Sequence, residues 1–206
     1  MALPSEHGEN YTPGRFMNGP TILTIARIFL IPFIILFNYL EPPWSSWASL
    51  GVFLLASITD WLDGYLARRN NQVTTLGKLL DPLADKLLVL TAFLVILERQ
   101  FIPAWIVIFM IGREMAVTGL RAFLAAERIV LAAGRLGKWK MTFQVISLSL
   151  LFIGGEAVFI LRAGIVTAYV ALFLSLVSAY LYIEKFWLLL GEKIMAEQKQ
   201  EGGSQE

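Results

Sequence analysis

The 206-residue sequence contains no cysteine and a single histidine, His7. These absences exclude disulfides, thiolate zinc sites and cysteine nucleophiles, and they argue against imidazole zinc sites and Ser-His-Asp triads. Any metal ion must therefore be held by oxygen ligands. Charge is also scarce, because Asp, Glu, Lys and Arg make up 16% of the residues, against about 25% in soluble domains. With 57% hydrophobic residues, the sequence predicts an all-α, polytopic membrane protein.

The apolar segments predict six transmembrane helices within a single domain, residues 21–190. The predicted helices are, approximately, residues 21–40, 44–69, 76–97, 103–126, 138–161 and 163–190. Residues 1–20 are expected to form a cytoplasmic tail with a candidate interfacial piece, and residues 191–206 a polar tail. No signal peptide and no second domain are expected.

Lys and Arg are unevenly distributed between the predicted loops. Eleven lie in the N-terminal tail, the second-to-third loop, the fourth-to-fifth loop or the C-terminal region, whereas the opposite side has only Arg99 and Arg162. Because cytoplasmic loops are enriched in Lys and Arg, both termini are expected in the cytoplasm, which agrees with an even number of spans. The sequence therefore predicts a multi-pass protein of the cell inner (cytoplasmic) membrane.

Four aspartates fall on two neighbouring predicted helices. Asp60, Asp63, Gly64, Ala67 and Arg68 share one stripe of the second helix, and Gly77, Asp81 and Asp85 share one stripe of the third. A short antiparallel hairpin joins these helices, so the four carboxylates can converge at its cytoplasmic mouth. Each carboxylate in a hydrophobic helix costs about 2.5–3.5 kcal/mol, so the cluster predicts two bound divalent cations. Mg²⁺ or Mn²⁺ is favoured, with Ca²⁺ as an alternative.

Two other interpretations of the aspartates agree less well with the sequence. They could pair with neighbouring Lys and Arg side chains in a solvated loop, but four carboxylates on two inward stripes argue against this. They could also form the ion path of a divalent-cation transporter. However, the outer halves of both helices, residues 50–58 and 87–96, are mostly apolar and do not continue a polar path.

The pattern D-x2-D-G-x2-A-R-x8-G-x3-D-x3-D, from Asp60 to Asp85, resembles the signature of the CDP-alcohol phosphotransferase family. Six spans with cytoplasmic termini also suit that family. The resemblance implies an enzyme that transfers a phosphatidyl or related phosphoryl group from a CDP-linked donor to an alcohol, with release of CMP. It also implies a homodimer.

The same resemblance implies roles for the residues of the motif. The metal ligands would be Asp60, Asp63, Asp81 and Asp85, and the CDP site would comprise Asp60, Asp63, Gly64, Ala67, Arg68 and Gly77. Asp85 would also act as the general base that takes the proton of the attacking hydroxyl. This chemistry fits in-line displacement at a two-metal site.

A second group of charges predicts the class of acceptor. Arg113 and Arg121 lie eight residues apart on one face of the fourth predicted helix, and Lys138 and Lys140 begin the fifth. Glu114 could pair with one of these arginines. Cations beside a two-metal site indicate an anionic acceptor, such as a sugar or polyol phosphate. The alternative is that these side chains snorkel to the membrane interface.

The stretches 112–121, 137–142 and 18–27 resemble the bacterial phosphatidylglycerophosphate-forming branch of the family. This branch implies CDP-diacylglycerol and glycerol 3-phosphate as substrates, within membrane lipids and without a nucleic-acid partner. The acceptor phosphate would be bound by Arg113, Arg121, Lys138 and Lys140. Asn18, Thr21 and Arg27 could support the mouth of the site, or cap and anchor the first helix. Inositol phosphate, serine and phosphatidylglycerol stay open as acceptors.

Overall fold

The computed structural model describes residues 19–70, 75–126 and 135–202, apart from the side chains of residues 19–21, 60–70, 75–79, 81, 135–136, 138 and 192–202. These ranges form six α-helices and one 3-10 turn, without a strand. The helices are α1 (Gly19–Asn38), α2 (Trp44–Asn70), α3 (Thr75–Glu98), α4 (Ala104–Ala126), α5 (Arg135–Phe152) and α6 (Val158–Gly202). The all-α prediction with six helices is confirmed over the described ranges.

The boundary between α5 and α6 differs from the predicted one. Helix α5 ends at Phe152 instead of residue 161, and a 3-10 turn at Gly154–Glu156 precedes α6. Two successive glycines explain the break, because glycine is among the least favourable residues in a helix interior. Helix α6 then continues to Gly202, so most of the predicted C-terminal tail is helical.

One helix of the described part is long and apolar enough to cross a membrane by length and composition, namely Val158–Gly191, with 34 residues and a mean hydropathy of 2.1. Three shorter apolar helices are Ile22–Asn38, Trp44–Thr59 and Trp139–Phe152. Charged residues such as Lys86 and Arg113 interrupt the apolar character of α3 and α4. The six-span arrangement therefore stays a prediction.

The apolar core joins all six helices. It includes Ile34, Phe53, Phe93, Ile106, Leu148 and Ala171, one from each helix in chain order. The rings of Phe53 and Phe152 lie 5.5 Å apart at its centre. Because large side chains from every helix are removed from solvent here, the core fixes how the helices pack.

Arg99 ties several helix ends together at one end of the bundle. Its Nε donates to Asn38 Oδ1 at 2.6 Å, Nη1 to Phe152 O at 2.8 Å and Nη2 to Ser45 O at 3.3 Å. These contacts join the end of α1, the start of α2 and the end of α5. Burial lowers the pKa of the Arg99 guanidinium from its ordinary value. Since α2, α3 and α5 extend away from this end, their other termini lie at the opposite end of the bundle.

Candidate active site

Each half of the aspartate motif lies on a helix. Helix α2 is continuous through residue 70, and α3 begins at residue 75, so the helical spacing assumed for both stripes holds in the backbone. The side chains of Asp60, Asp63, Gly64, Ala67, Arg68, Gly77 and Asp81 lie outside the described residues. Among the side chains that are described, no three carboxylates or histidines form a metal-binding group. The two-metal site therefore stays a prediction.

Asp85 is the motif carboxylate whose side chain the structure describes, and it is half-buried on α3. Its neighbours Ala84 and Leu88 are buried. Successive residues of a helix point about 100° apart, so Asp85 lies at the edge of the packed face rather than at its centre. The side chain of Asp85 is therefore partly exposed while its backbone is held in α3.

Arg27 connects α1 to the helical turn that precedes the motif. Its side chain is fully buried, and Nε donates to Ala56 O at 3.3 Å. In an α-helix this carbonyl lies one turn before residue 60. The contact joins α1 to α2 next to the motif, and the role of Arg27 in supporting the mouth of the site stays a prediction. Asn18 and the side chain of Thr21 lie outside the described residues.

Three cations from three helices converge on the carboxylate of Glu114. Lys86 Nζ of α3 lies 3.2 Å from Oε1, and Arg113 Nη1 of α4 lies 3.0 Å from Oε2. Lys140 Nζ of α5 also pairs with Oε2. Lys86 further donates to Thr118 Oγ1 at 2.7 Å. We call Lys86, Arg113, Glu114 and Lys140 the cation cluster.

The side chain of Arg113 points into the bundle. It is 8% exposed, Nε donates to Ser175 O at 2.9 Å, and Nη2 donates to Ser178 Oγ at 3.2 Å. Lys140 is buried as well. Both observations argue against the snorkelling alternative for these two residues, since a snorkelling side chain places its charge in water.

Arg121 lies apart from the cation cluster. It follows Arg113 by eight positions on α4, a rise of about 12 Å along the helix. Its guanidinium carbon lies 5.3 Å from the centroid of the Tyr182 ring, a cation–π distance. The side chain of Lys138 lies outside the described residues. The structure thus brings together Arg113 and Lys140, and places Arg121 about two turns farther along α4, where α4 contacts α6.

Sequence reasoning did not assign a function to Lys86, Ser178 or Tyr182. Lys86 carried a usable signal, because a charged residue inside an apolar helix is expected to have a partner. Ser175, Ser178 and Tyr182 follow a helical spacing that places them on one face of α6. The buried hydroxyls of Ser175 and Tyr182 have no hydrogen-bond partner among the described residues. The α4–α6 contact is therefore more polar than its role in packing alone requires.

A comparison with protein families matches residues 17–184 to the family described as CDP-alcohol phosphatidyltransferase. The match includes both halves of the aspartate motif and the cation cluster.

The chain belongs to this family.

Members of the CDP-alcohol phosphatidyltransferase family are membrane-associated and generally depend on a divalent cation. The chain is 41% identical over 185 residues to the CDP-diacylglycerol–glycerol-3-phosphate 3-phosphatidyltransferase of Bacillus subtilis (strain 168), covering 82% of this chain and 95% of that protein. It is 39% identical over 171 residues to the protein of the same name from Escherichia coli (strain K12), covering 81% and 93%. It is also 32% identical over 200 residues to the cardiolipin synthase (CMP-forming) of Oryza sativa subsp. japonica, covering 86% and 60%.

Proposed function

We propose that the chain transfers the phosphatidyl group of CDP-diacylglycerol to sn-glycerol 3-phosphate, forming phosphatidylglycerophosphate and releasing CMP. The observation that carries this proposal is similarity over almost the whole length of the Bacillus subtilis and Escherichia coli relatives, both of which are named for this substrate pair. The cation cluster gives independent support, because it offers positive charge to a phosphorylated acceptor next to the helix that carries Asp85.

The acceptor phosphate would be bound by Arg113 and Lys140, with Arg121 and Lys138 as the further cations of the site. Arg113 is suited to this role because its planar guanidinium is held by Ser175 and Ser178 and need not be ordered on binding. Lys140 is buried, so its charge acts in surroundings of lower dielectric than water. Both features strengthen attraction to an anion.

The motif residues would act on the donor and on the attacking hydroxyl. Gly64, Ala67 and Gly77 would allow the nucleotide to lie close to the two helices, and Arg68 would contact its phosphates. Asp85 would accept the proton of the acceptor hydroxyl as that oxygen attacks the phosphatidyl phosphorus. The partial exposure of Asp85 is compatible with this contact.

The motif also fits two divalent cations, Mg²⁺ or Mn²⁺, because its donors are hard carboxylate oxygens on two helices with the required spacing. The ligands would be Asp60, Asp63, Asp81 and Asp85. When bound, such ions neutralise charge on the diphosphate and stabilise the leaving CMP.

We also propose that the bundle crosses the inner membrane six times, with both termini and the active site on the cytoplasmic side. Large apolar side chains are exposed on the outside of several helices, among them Phe29, Ile108, Phe159 and Phe173. An apolar surface of this extent favours contact with lipid. We further propose that the chain forms a homodimer, as the family resemblance implies.

A second acceptor is favoured by one observation. The rice relative is named a cardiolipin synthase (CMP-forming), and the chain matches 60% of its length. The corresponding candidate is the same transfer with phosphatidylglycerol as the acceptor. Phosphatidylglycerol carries a phosphodiester monoanion, so it would offer less charge to the cation cluster than glycerol 3-phosphate does.

The test is an acceptor screen with detergent-purified protein, CDP-diacylglycerol and Mg²⁺ or Mn²⁺. Glycerol 3-phosphate, phosphatidylglycerol, inositol phosphate and serine are supplied separately, and CMP release is measured. We expect release with glycerol 3-phosphate and little with the other three. CMP release with phosphatidylglycerol but not with the other three compounds would show that phosphatidylglycerol is the acceptor in place of glycerol 3-phosphate. CMP release without any acceptor would indicate hydrolysis of the donor.

A further inference from the structure

Glu114 occupies the centre of the cation cluster, yet the proposed function gives it no task. Its two carboxylate oxygens contact cations of α3, α4 and α5. Lys140 is 7% exposed, and Glu114 is its only polar partner among the described residues. An unpaired buried cation is strongly destabilising. Glu114 is therefore the group that allows Lys140 to remain charged and in place.

We propose that Glu114 is a positioning residue for the acceptor, and that Lys86 is a further cation of the acceptor site. The carboxylate holds the charged ends of Lys86, Arg113 and Lys140 around one point, and one phosphate group would bind there. This inference rests on the proposed function, in which the acceptor is a phosphomonoester.

The cation cluster has more N–H donors than its described contacts use. An ammonium group has three N–H donors and a guanidinium group has five. Among the described contacts, Lys86 uses two donors, on Glu114 and Thr118, and Lys140 uses one. Arg113 uses three, on Glu114, Ser175 and Ser178. Each cation keeps at least one donor that no described contact uses, so the number of donors is sufficient for phosphate oxygens and the Glu114 carboxylate to be bound together.

The charge of the cluster matches the same ligand. Three cations and one carboxylate leave a net charge of +2, and a phosphomonoester carries about −1.5 to −2 at pH 7. The Thr118 hydroxyl, which accepts from Lys86 and donates to Glu114 O at 2.7 Å, fixes Lys86 from the other side. The cluster is thus both oriented and charged for a dianionic group.

Replacing Glu114 by Gln has two opposing effects. It removes a negative charge, which by itself would attract an anion more strongly. It also leaves Lys140 buried without a counter-ion, so this lysine must move or give up its proton. Because either response removes a phosphate donor, we expect the loss of position to dominate and acceptor binding to weaken.

The experiment compares Glu114→Gln, Glu114→Asp and wild type, with Glu156→Gln as the matched control. Glu156 is an exposed carboxylate beside the end of α5 that lies away from Lys140. We expect Glu114→Gln to raise KM for glycerol 3-phosphate about tenfold or more, while KM for CDP-diacylglycerol changes less than about twofold. Glu114→Asp keeps the charge and should give an intermediate KM for glycerol 3-phosphate. Glu156→Gln should match wild type.

A second measurement does not depend on turnover. Glycerol 3-phosphate should raise the midpoint of thermal unfolding of the wild type, because a ligand stabilises the folded state that binds it. The same concentration should produce a smaller rise in both Glu114 variants and an unchanged rise in Glu156→Gln. If Glu114→Gln does not fold, Glu114→Asp carries both comparisons.

An unchanged KM for glycerol 3-phosphate in Glu114→Gln would overturn the inference, because the carboxylate would then have no effect on acceptor binding. A lower KM would also overturn it, because the carboxylate would then weaken acceptor binding. Equal changes in both KM values would also overturn it, in favour of a role in folding alone. If the wild type forms no product with glycerol 3-phosphate, the proposed function fails, whereas the thermal shift still reports how Glu114 affects phosphate binding.

Discussion

At the scale of single residues, the structure connects Asp85 to the proposed acceptor site through Lys86, its neighbour in the sequence. Lys86 follows Asp85 on α3 and pairs with Glu114 of α4, so the backbone that carries the proposed general base is tied to the helix that carries Arg113. The attacking hydroxyl and the acceptor phosphate belong to one small molecule. A fixed separation between Asp85 and the cation cluster would therefore favour a defined position of that hydroxyl.

Asp85→Asn tests the proposed base. The amide cannot accept the proton of the attacking hydroxyl, so the rate of CMP release should fall about 10²-fold or more. The midpoint of thermal unfolding should stay close to that of wild type, because Asp85 lies at the edge of the packed face. CMP release at saturating concentrations of both substrates is the measurement, with Glu156→Gln as the control. Turnover like that of wild type would show that Asp85 has only a structural role.

At the same scale, the sequence predicts the charged residues of the candidate site but not all of their contacts. The aspartate motif and the candidate cations were found because charged side chains are unusual in apolar helices. That Glu114 pairs with Arg113 was expected as one of two options, and the structure shows the pair. Its contacts with Lys86 and Lys140 could not be predicted, because residues 86, 114 and 140 meet only through the packing of three helices.

At the scale of the elements, glycines control the contact between α5 and α6. A Cβ atom added at Gly164 would lie 3.0 Å from the Leu151 side chain and 3.2 Å from its backbone nitrogen. Helices can approach closely where a small residue lies at their interface. This packing positions Lys140 on α5 relative to Ser175 and Ser178 on α6.

Gly164→Val should therefore destabilise the bundle. Overpacking of this kind costs about 1–3 kcal/mol, and we expect a lower midpoint of thermal unfolding in detergent. The matched control is Gly51→Ala on α2, where an added Cβ has no neighbour within 4 Å. That change should leave the midpoint unchanged or raise it slightly, because alanine is the better helix former. Equal midpoints for the two variants would contradict the close contact of α5 and α6.

The elements themselves were largely predictable from the sequence. The starts and ends of α1 to α4 lie within about two residues of their predicted positions, because polar or proline-containing segments interrupt the apolar runs there. The predicted end of α5, at residue 161, was wrong by nine residues, because α5 ends at Phe152. The region from Gly154 to Leu161 is mostly apolar, so the apolar run that predicts α5 extends past the turn. Only the two glycines in the sequence indicate that turn.

At the scale of the whole molecule, the two ends of the bundle differ in chemistry. One end is closed by Arg99 and by Glu98, which accepts hydrogen bonds from Asn38 and Tyr39. The part of the bundle away from Arg99 carries the aspartate motif, and the cation cluster lies near the middle of α3 and α4 and the start of α5. If the bundle spans the membrane as proposed, the reactive end faces the cytoplasm.

The absence of native cysteine makes this orientation directly testable. Single cysteines are introduced as Gln100→Cys, in the turn after α3, and Ser204→Cys, near the C-terminus. A membrane-impermeant thiol reagent added to intact cells should label the cysteine at position 100 and not the one at position 204. Position 204 should react only after permeabilisation. Labelling of both positions in intact cells, or of position 204 alone, would contradict the proposed topology.

The central claim concerns the reaction itself, and the most direct measurement is identification of the lipid product. Purified wild-type protein is incubated with CDP-diacylglycerol, glycerol 3-phosphate and Mg²⁺, and lipid and nucleotide are quantified together by mass spectrometry. The account predicts phosphatidylglycerophosphate and CMP in equal amounts, with both lost on removal of glycerol 3-phosphate or of the metal. CMP formed with phosphatidic acid, or no lipid product from glycerol 3-phosphate while another acceptor reacts, would contradict it.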